Sequence, residues 1–473
     1  MKRKILLIVL IVVISLVVAF GTFAGTTYAL YTKEKKAVII LPGLFASGLY
    51  DSETGKAVWD PFEDLDVYYG DIMPPEGGIN FGKIAALLLE ESVADEVKKI
   101  MANQNYGEED SLLNLMAVNE DGTPAVPSVV GVPWYEYEGR IKYGAINAQK
   151  QMYFSIYEKY KDDYNVEIFN YDFRRDNRYT AELLEDYINQ KGYKEIILVS
   201  HSNGGHVAAI YLARSQANRD KVKKYISYNA PYLGSFSAIR ILENLDTMIP
   251  DMVAGIPDFW KKALKNIFNN LEDVFNKQFM KILNMWTVYH LLPNYELLTN
   301  EYDGEQAAYY FDGERKIFEN EQELYEFYCS RPWARHENGE LKPAMIDWLD
   351  YIDSLKVTLP SGEKVYSPTL VDTTYFAGMD CEGPNKVYFE TKDDALVMTD
   401  AQTTTKGDGT VLLTSAVAFE EDLSKITFWH GVNHVGVNTY FEEYCQEDTY
   451  AAIDKSIDKP SWYYSMWFKI LKK

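Results

Sequence analysis

The sequence predicts an α/β protein built on a doubly wound, mostly parallel sheet, with a lid-type insertion and a helical cap. Three observations carry that prediction. Apolar runs such as Ala37–Leu41 and Ile196–Val199 lack polar alternation, the mark of strands covered on both faces. Helical patterns alternate with these runs, as they do in βαβ units. At Lys194–Leu212 (KEIILVSHSNGGHVAAIYL) an apolar strand stops abruptly at Ser200-His201-Ser202-Asn203-Gly204-Gly205, and helical spacing through Val207, Ile210 and Tyr211 follows at once.

The chain has 473 residues, 47% of them hydrophobic and 14% aromatic, which exceeds one ordinary domain and permits a large core. Its net charge of −23 argues against a nucleic-acid partner, because binding phosphate needs basic clusters. Cys329, Cys381 and Cys445 are widely spaced and odd in number, so neither a disulfide scaffold nor a zinc site is suggested. They read as packing residues, and no cofactor or metal is expected.

In chain order, Lys2-Arg3-Lys4 precede an uncharged apolar run from Ile5 to about Ala24, long enough to span a bilayer. The basic flank predicts an N-terminus inside and the remainder of the chain outside the cell membrane. Thr27-Tyr28-Ala29 offers the alternative, a cleaved signal and a secreted protein. Residues 1–36 are thus an anchor or signal with a short linker. Ala37–Leu41 is the first buried strand and runs into Pro42-Gly43-Leu44-Phe45-Ala46-Ser47-Gly48. Residues 51–144, broken by Pro61, Pro74-Pro75, Pro124, Pro127 and Pro133, read as a lid-like insertion with one helix near 84–101.

The αβ rhythm resumes with helix Ala145–Lys161, strand Val166–Asn170, the segment Tyr171-Asp172-Phe173-Arg174 and a helix Ala181–Gln190 closed by Gly192. Strand Tyr225–Tyr228 ends in Asn229-Ala230-Pro231-Tyr232-Leu233-Gly234-Ser235. Residues 236–360 show little strand character and are read as a helical cap, including 264–283 and Trp286–Tyr295. Strands at Tyr375–Gly378, Val387–Glu390 and Ile426–Trp429 are expected to complete the sheet before a closing helix around Val437–Cys445. The main folded body would then span 37–450. In the tail, 451–473, Trp462–Lys473 combines aromatics with terminal lysines, which suits a membrane interface.

A serine at a tight strand–helix corner has its hydroxyl lifted clear of the sheet, the nucleophile elbow of α/β-hydrolases, so Ser202 is the candidate nucleophile. The usual Gly-x-Ser-x-Gly pattern wants glycine where this chain has Ser200. The oxyanion donors of such a site are backbone N–H groups of the residue after the nucleophile and of the early turn, here Asn203 and Phe45. Chain order Ser, Asp, His then directs the search to late residues. Of six histidines, His201 and His206 flank the nucleophile, with His201 expected to point away from it, and His290 and His336 fall in the cap. His434, in HGVNHVGV, is the better base candidate; His430, at the strand end, is expected to pack or hydrogen-bond behind it. Asp408, in Gly407-Asp408-Gly409-Thr410-Val411, is the acid candidate, though alone it also reads as a β-turn aspartate.

Together these blocks resemble the lecithin:cholesterol acyltransferase family of α/β-hydrolases. Ile39–Ser47 is similar to its opening strand and oxyanion turn, Tyr171–Arg174 to its Tyr-Asp-Trp-Arg element, and Val199–Gly205 to its elbow. Asn229–Ser235 is similar to its Gly-Ala-Pro-x-x-Gly-Ser, Leu291–Asn294 fits its cap, and the Asp408 and His430–His434 segments resemble its acid and base blocks. Ser200 and Phe173 depart from the family's glycine and tryptophan, and the insertion lacks the lid cysteine pair of the animal enzyme. The resemblance implies Ser202, Asp408 and His434 as a triad, Trp59 as an aromatic lid residue, and a lipid or other acyl ester as substrate. The expected function is a lipid acyltransferase or a lipase or phospholipase working through an acyl-enzyme. A carboxylesterase for soluble esters and an inactive lipid-binding surface protein are the alternatives.

Overall fold

A computed structural model describes residues 36–44, 46–54, 57–59, 115–131, 152–243, 284–302, 305–418, 420, 422–434, 436 and 442–456. Outside them lie the apolar N-terminal segment, Phe45, the expected helices near 84–101 and 264–283, and the tail from 457. No helix among the described residues is long and apolar enough to cross a membrane.

Six strands form the central sheet: β1 (Lys36–Leu41), β2 (Asn165–Ile168), β3 (Glu195–His201), β4 (Val222–Tyr228), β5 (Thr373–Met379) and β6 (Ile426–His430). Their spatial order is β6-β5-β4-β3-β1-β2, and every pairing is parallel. This order and parallel pairing, with helices on both faces, is the α/β-hydrolase arrangement. Because side chains alternate across a strand, each apolar run feeds two cores. Ala37, Ile39, Leu41, Ile196 and Leu198 pack on one face with helices α2 (Asn177–Lys191) and α3 (Gly204–Arg214). Val38, Ile40, Ile197 and Val199 pack on the other, with α1 (Met152–Tyr160) and α4 (Glu443–Ser456).

Helix α2 starts where Asp176 accepts the Arg178 N–H and stops at Gly192, which has φ 70° and returns its N–H to Asn189 and Ile188. The expected closing helix near 437–445 is found later, at α4, with 437–441 outside the described residues.

The stretch read as a helical cap is a mixed structure. Strands Ala308–Phe311 and Glu314–Lys316 occur there, and Ala308–Phe311 pairs in parallel with Gly383–Lys392. Consecutive aromatics at 309–311 favour an extended chain that can stack across strands, as Tyr310 does on Tyr388 at 4.8 Å. Val387–Glu390 is a strand as expected, yet in this second sheet rather than the central one. It forms a hairpin with Ala395–Thr404, turned at Asp393 and Asp394, whose φ of 50° and 63° fit a type I′ turn.

Arg174 ties the insertion to the body. Its fully buried guanidinium meets both carboxylate oxygens of Asp172, at 2.8 and 2.7 Å. It also donates to the carbonyls of Leu115 and Val129, each at 2.9 Å. Arg174→Ala would leave Asp172 and two carbonyls without these donors, so equilibrium urea unfolding should show a loss of about 3–5 kcal/mol. A loss below about 1 kcal/mol would contradict the tethering role.

Candidate active site

The C-terminal ends of β3, β5 and β6 converge on Ser202. Its φ of 54° is a left-handed conformation that costs a serine roughly 1–3 kcal/mol and swings the hydroxyl away from the strand. The surroundings enforce it. Ser202 N–H donates to the Tyr228 carbonyl at 3.0 Å, and Gly205 N–H to the Ser202 carbonyl at 2.8 Å. Helix α3 begins so close to β1 that a Cβ on Gly204 would stand 2.3 Å from the Leu41 carbonyl oxygen.

Ser200, in place of the elbow glycine, is fully buried and puts its hydroxyl 2.7 Å from Tyr225 Oη. Tyr225 continues to Tyr232 at 2.8 Å, and Tyr232 to Ser227 at 2.8 Å. The departure is therefore accommodated by a hydroxyl network in which Ser200 takes part.

Asp408, His434 and Ser202 form one hydrogen-bonded series. Asp408 is buried, and its Oδ1 accepts the N–H groups of Thr410 (2.9 Å) and Val411 (2.7 Å). That leaves Oδ2 directed at His434 Nδ1, 2.6 Å away, while His434 Nε2 lies 2.8 Å from Ser202 Oγ. A carboxylate can only accept, so Nδ1 carries the hydrogen and Nε2 is free to take the serine proton. The loop that carries Asp408 is fastened by Ser235 Oγ, which donates to the Thr410 carbonyl at 2.5 Å. The arrangement can deprotonate a hydroxyl beside a backbone donor. That donor is the Asn203 N–H, which finds no acceptor among the described residues. Phe45, the other expected oxyanion donor, lies outside the described residues. Trp59 ends strand Ala57–Trp59, paired with Leu49–Asp51; nothing further is described of it.

The remaining histidines divide clearly. His430 is exposed, bound to Asp380 at 2.6 Å. His336 pairs with Glu120 at 2.6 Å. His206 donates from Nε2 to the Pro231 carbonyl (2.7 Å) and accepts the Tyr351 hydroxyl on Nδ1 (2.6 Å). Tyr351 stacks on His290 at 3.4 Å and receives Asn177 Nδ2 at 3.0 Å. Asn177 in turn exchanges amide bonds with Asn203 at 2.9 and 3.1 Å, so this chain reaches the elbow from behind. No motif signalled it, because its members lie up to 174 residues apart. His201 does not point away as expected. Its Nε2 lies 3.0 Å from the His434 carbonyl.

Among known families, residues 149–328 match the model described as Lecithin:cholesterol acyltransferase. The matched stretch includes Tyr171–Arg174, Ser202, Asn229–Ser235 and Leu291–Asn294; Asp408 and His434 fall beyond it. Among solved structures, the chain is similar to one described as a Tle4–Tli4 complex. The identity is 14% and the TM-score 0.46, over 89% of this chain and 98% of that one. It is also similar to the Bacillus licheniformis lipase BlEst2 in mature form, with 12% identity and a TM-score of 0.28, over 62% of this chain and 81% of the other. Both scores are low, and what defines the fold is the sheet order and register of the chain itself. No curated protein matches the chain significantly.

Burial first, with His434 beside His201 and Arg178 beside His290 adding to it, holds these two rings well below the usual imidazole range, and burial takes His206 down to about 4. An unfolded chain would bind protons on these rings below pH ~6.5 while the folded chain would not. Stability from this source is therefore complete above pH ~6.5 and declines on acidification toward pH ~4, by up to about 1.4 kcal/mol per pH unit per ring. Glu321, pushed up to about 7 by burial, acts in the opposite sense, one group against three. The urea midpoint should accordingly drop between pH 7.5 and pH 5; a rise would contradict the neutral burial of these histidines.

Proposed function

We propose that this chain is a serine-dependent acyl-ester enzyme, a lipid acyltransferase or lipase-type hydrolase, working through an acyl-enzyme on Ser202. The observation that carries the reading is the continuous series Asp408 Oδ2, His434 Nδ1, His434 Nε2, Ser202 Oγ, with separations of 2.6 and 2.8 Å, at a serine with φ 54°. The family match over residues 149–328 supports acyl chemistry and a lipid substrate class.

In this mechanism Ser202 Oγ attacks the ester carbonyl carbon as its proton passes to His434 Nε2, and Asp408 stabilises the imidazolium through Nδ1–H. The carbonyl oxygen becomes an oxyanion facing the Asn203 N–H, with Phe45 N–H proposed as the second donor. Collapse of the intermediate breaks the ester C–O bond, and His434 returns the proton to the leaving alcohol. Water or an acceptor alcohol then gives its proton to His434 and attacks the acyl-serine; the acyl–Oγ bond breaks as His434 passes that proton to Ser202 Oγ, releasing the acid or the new ester. Trp59 is proposed as a lid residue over the acyl group.

Ser202→Ala should lower hydrolysis of p-nitrophenyl esters by at least about 10⁴-fold and abolish labelling by a fluorophosphonate probe. Retained cleavage, or no labelled serine in the wild type, would sink the proposal. Products formed from phospholipid with an added alcohol would separate transfer from hydrolysis.

We also place the body outside the cell membrane, tethered by Ile5–Ala24, with the aromatic tail Trp462–Lys473 at the interface. Full-length protein should then stay in the membrane pellet after alkaline carbonate extraction; release into the supernatant or the medium would overturn the tether.

A further inference from the structure

The acyl-transfer steps leave His201 unused, although it touches the base loop. Its ring lies 4.9 Å from that of His434, and its Nε2 is 3.0 Å from the His434 backbone oxygen. A carbonyl oxygen only accepts, so Nε2 bears the hydrogen and Nδ1 is the bare nitrogen of a neutral ring. Nδ1 is buried and has no hydrogen-bond partner among the described residues. It faces the early turn, where a Cβ on Gly43 would stand 3.0 Å from it and 2.9 Å from Ser202 Cβ. Burial first, and the neighbouring His434 second, disfavour a proton at that nitrogen.

Three other bonds hold His434. Its N–H donates to the Asp408 carbonyl at 2.9 Å and its Nδ1 to the Asp408 carboxylate, and both tie it to the acid loop. The third, Nε2 to Ser202 Oγ, is the bond that reaction breaks. Among the described residues, only His201 joins the His434 main chain to the nucleophile turn. Adjacent residues of that turn thus grip His434 at both ends, His201 at the carbonyl and Ser202 at the ring.

We infer that His201 is a positioning residue for acyl transfer: one hydrogen bond from its Nε2 to the His434 carbonyl sets the distance between His434 Nε2 and Ser202 Oγ. This rests on the reading of Ser202 and His434 as nucleophile and base. A misplacement of about 1 Å at reacting groups can cost about 100-fold in rate.

Glutamine and asparagine separate position from polarity, because the glutamine amide reaches the place of His201 Nε2 and the asparagine amide only that of Nδ1. His201→Gln should keep kcat within about 10-fold of wild type on a short p-nitrophenyl ester, whereas His201→Asn should lose about 100-fold with KM little changed. Equal kcat for the two variants, or a wild-type kcat in His201→Asn, would overturn the inference. If both variants unfold, as read by circular dichroism, nitrogen NMR of the histidine-labelled wild type decides. An Nε2–H tautomer is expected for the neutral His201 ring; an Nδ1–H tautomer overturns it. A wild type that cleaves no ester and takes no fluorophosphonate would instead defeat the acyl-enzyme reading itself.

Discussion

A serine held at φ 54° between β3 and α3 is the constraint on which the rest of the site depends. Left alone, that residue would relax to the favoured side of conformational space, and the hydroxyl would lie against the sheet. It is kept in place by packing that leaves no alternative. The parallel register of β1, β3 and β4 brings the Tyr228 carbonyl to its N–H, and the close approach of α3 to the end of β1 requires glycine at 204. The cost is met by the buried parallel sheet, whose two apolar cores resist any shift of one strand relative to its neighbours.

Around this corner, buried polar groups are arranged so that each neighbour fixes another. Tyr171 donates to the Pro42 carbonyl at 2.6 Å and receives Asn203 Nδ2 at 3.2 Å, which links the early turn to the start of α3. Asn177, Tyr351 and His206 extend the series to Pro231, and Ser200, Tyr225, Tyr232 and Ser227 form a second one across β3, β4 and the turn after β4. Such networks are costly when incomplete and rigid when satisfied, so they favour one geometry of the elbow over its near alternatives.

The same reasoning separates the two carboxylate–histidine pairs at the strand ends. Asp380 and His430 approach to 2.6 Å but stay in water, where an ion pair is worth about 0–1 kcal/mol. Asp408 and His434 approach equally closely, with the carboxylate buried and already ordered by two backbone N–H groups. Burial and prior ordering, rather than the pairing itself, distinguish a group able to orient a base from one that merely sits beside a histidine.

The sequence by itself determined the strands, because runs such as Ala37–Leu41 and Ile196–Val199 have only one stable environment, a sheet covered on both faces. It also determined the elbow, because a serine between an apolar strand and Asn203-Gly204-Gly205 has a local backbone reason to be there. Local pattern could not tell which sheet would receive Val387–Glu390, or that 308–311 would be extended, since pairing is a long-range choice. Nor could it tell that Ser200 would join a tyrosine network, or that His201 would turn toward His434. Those outcomes depend on partners 25 and 233 residues away, which only the folded chain brings within hydrogen-bonding distance.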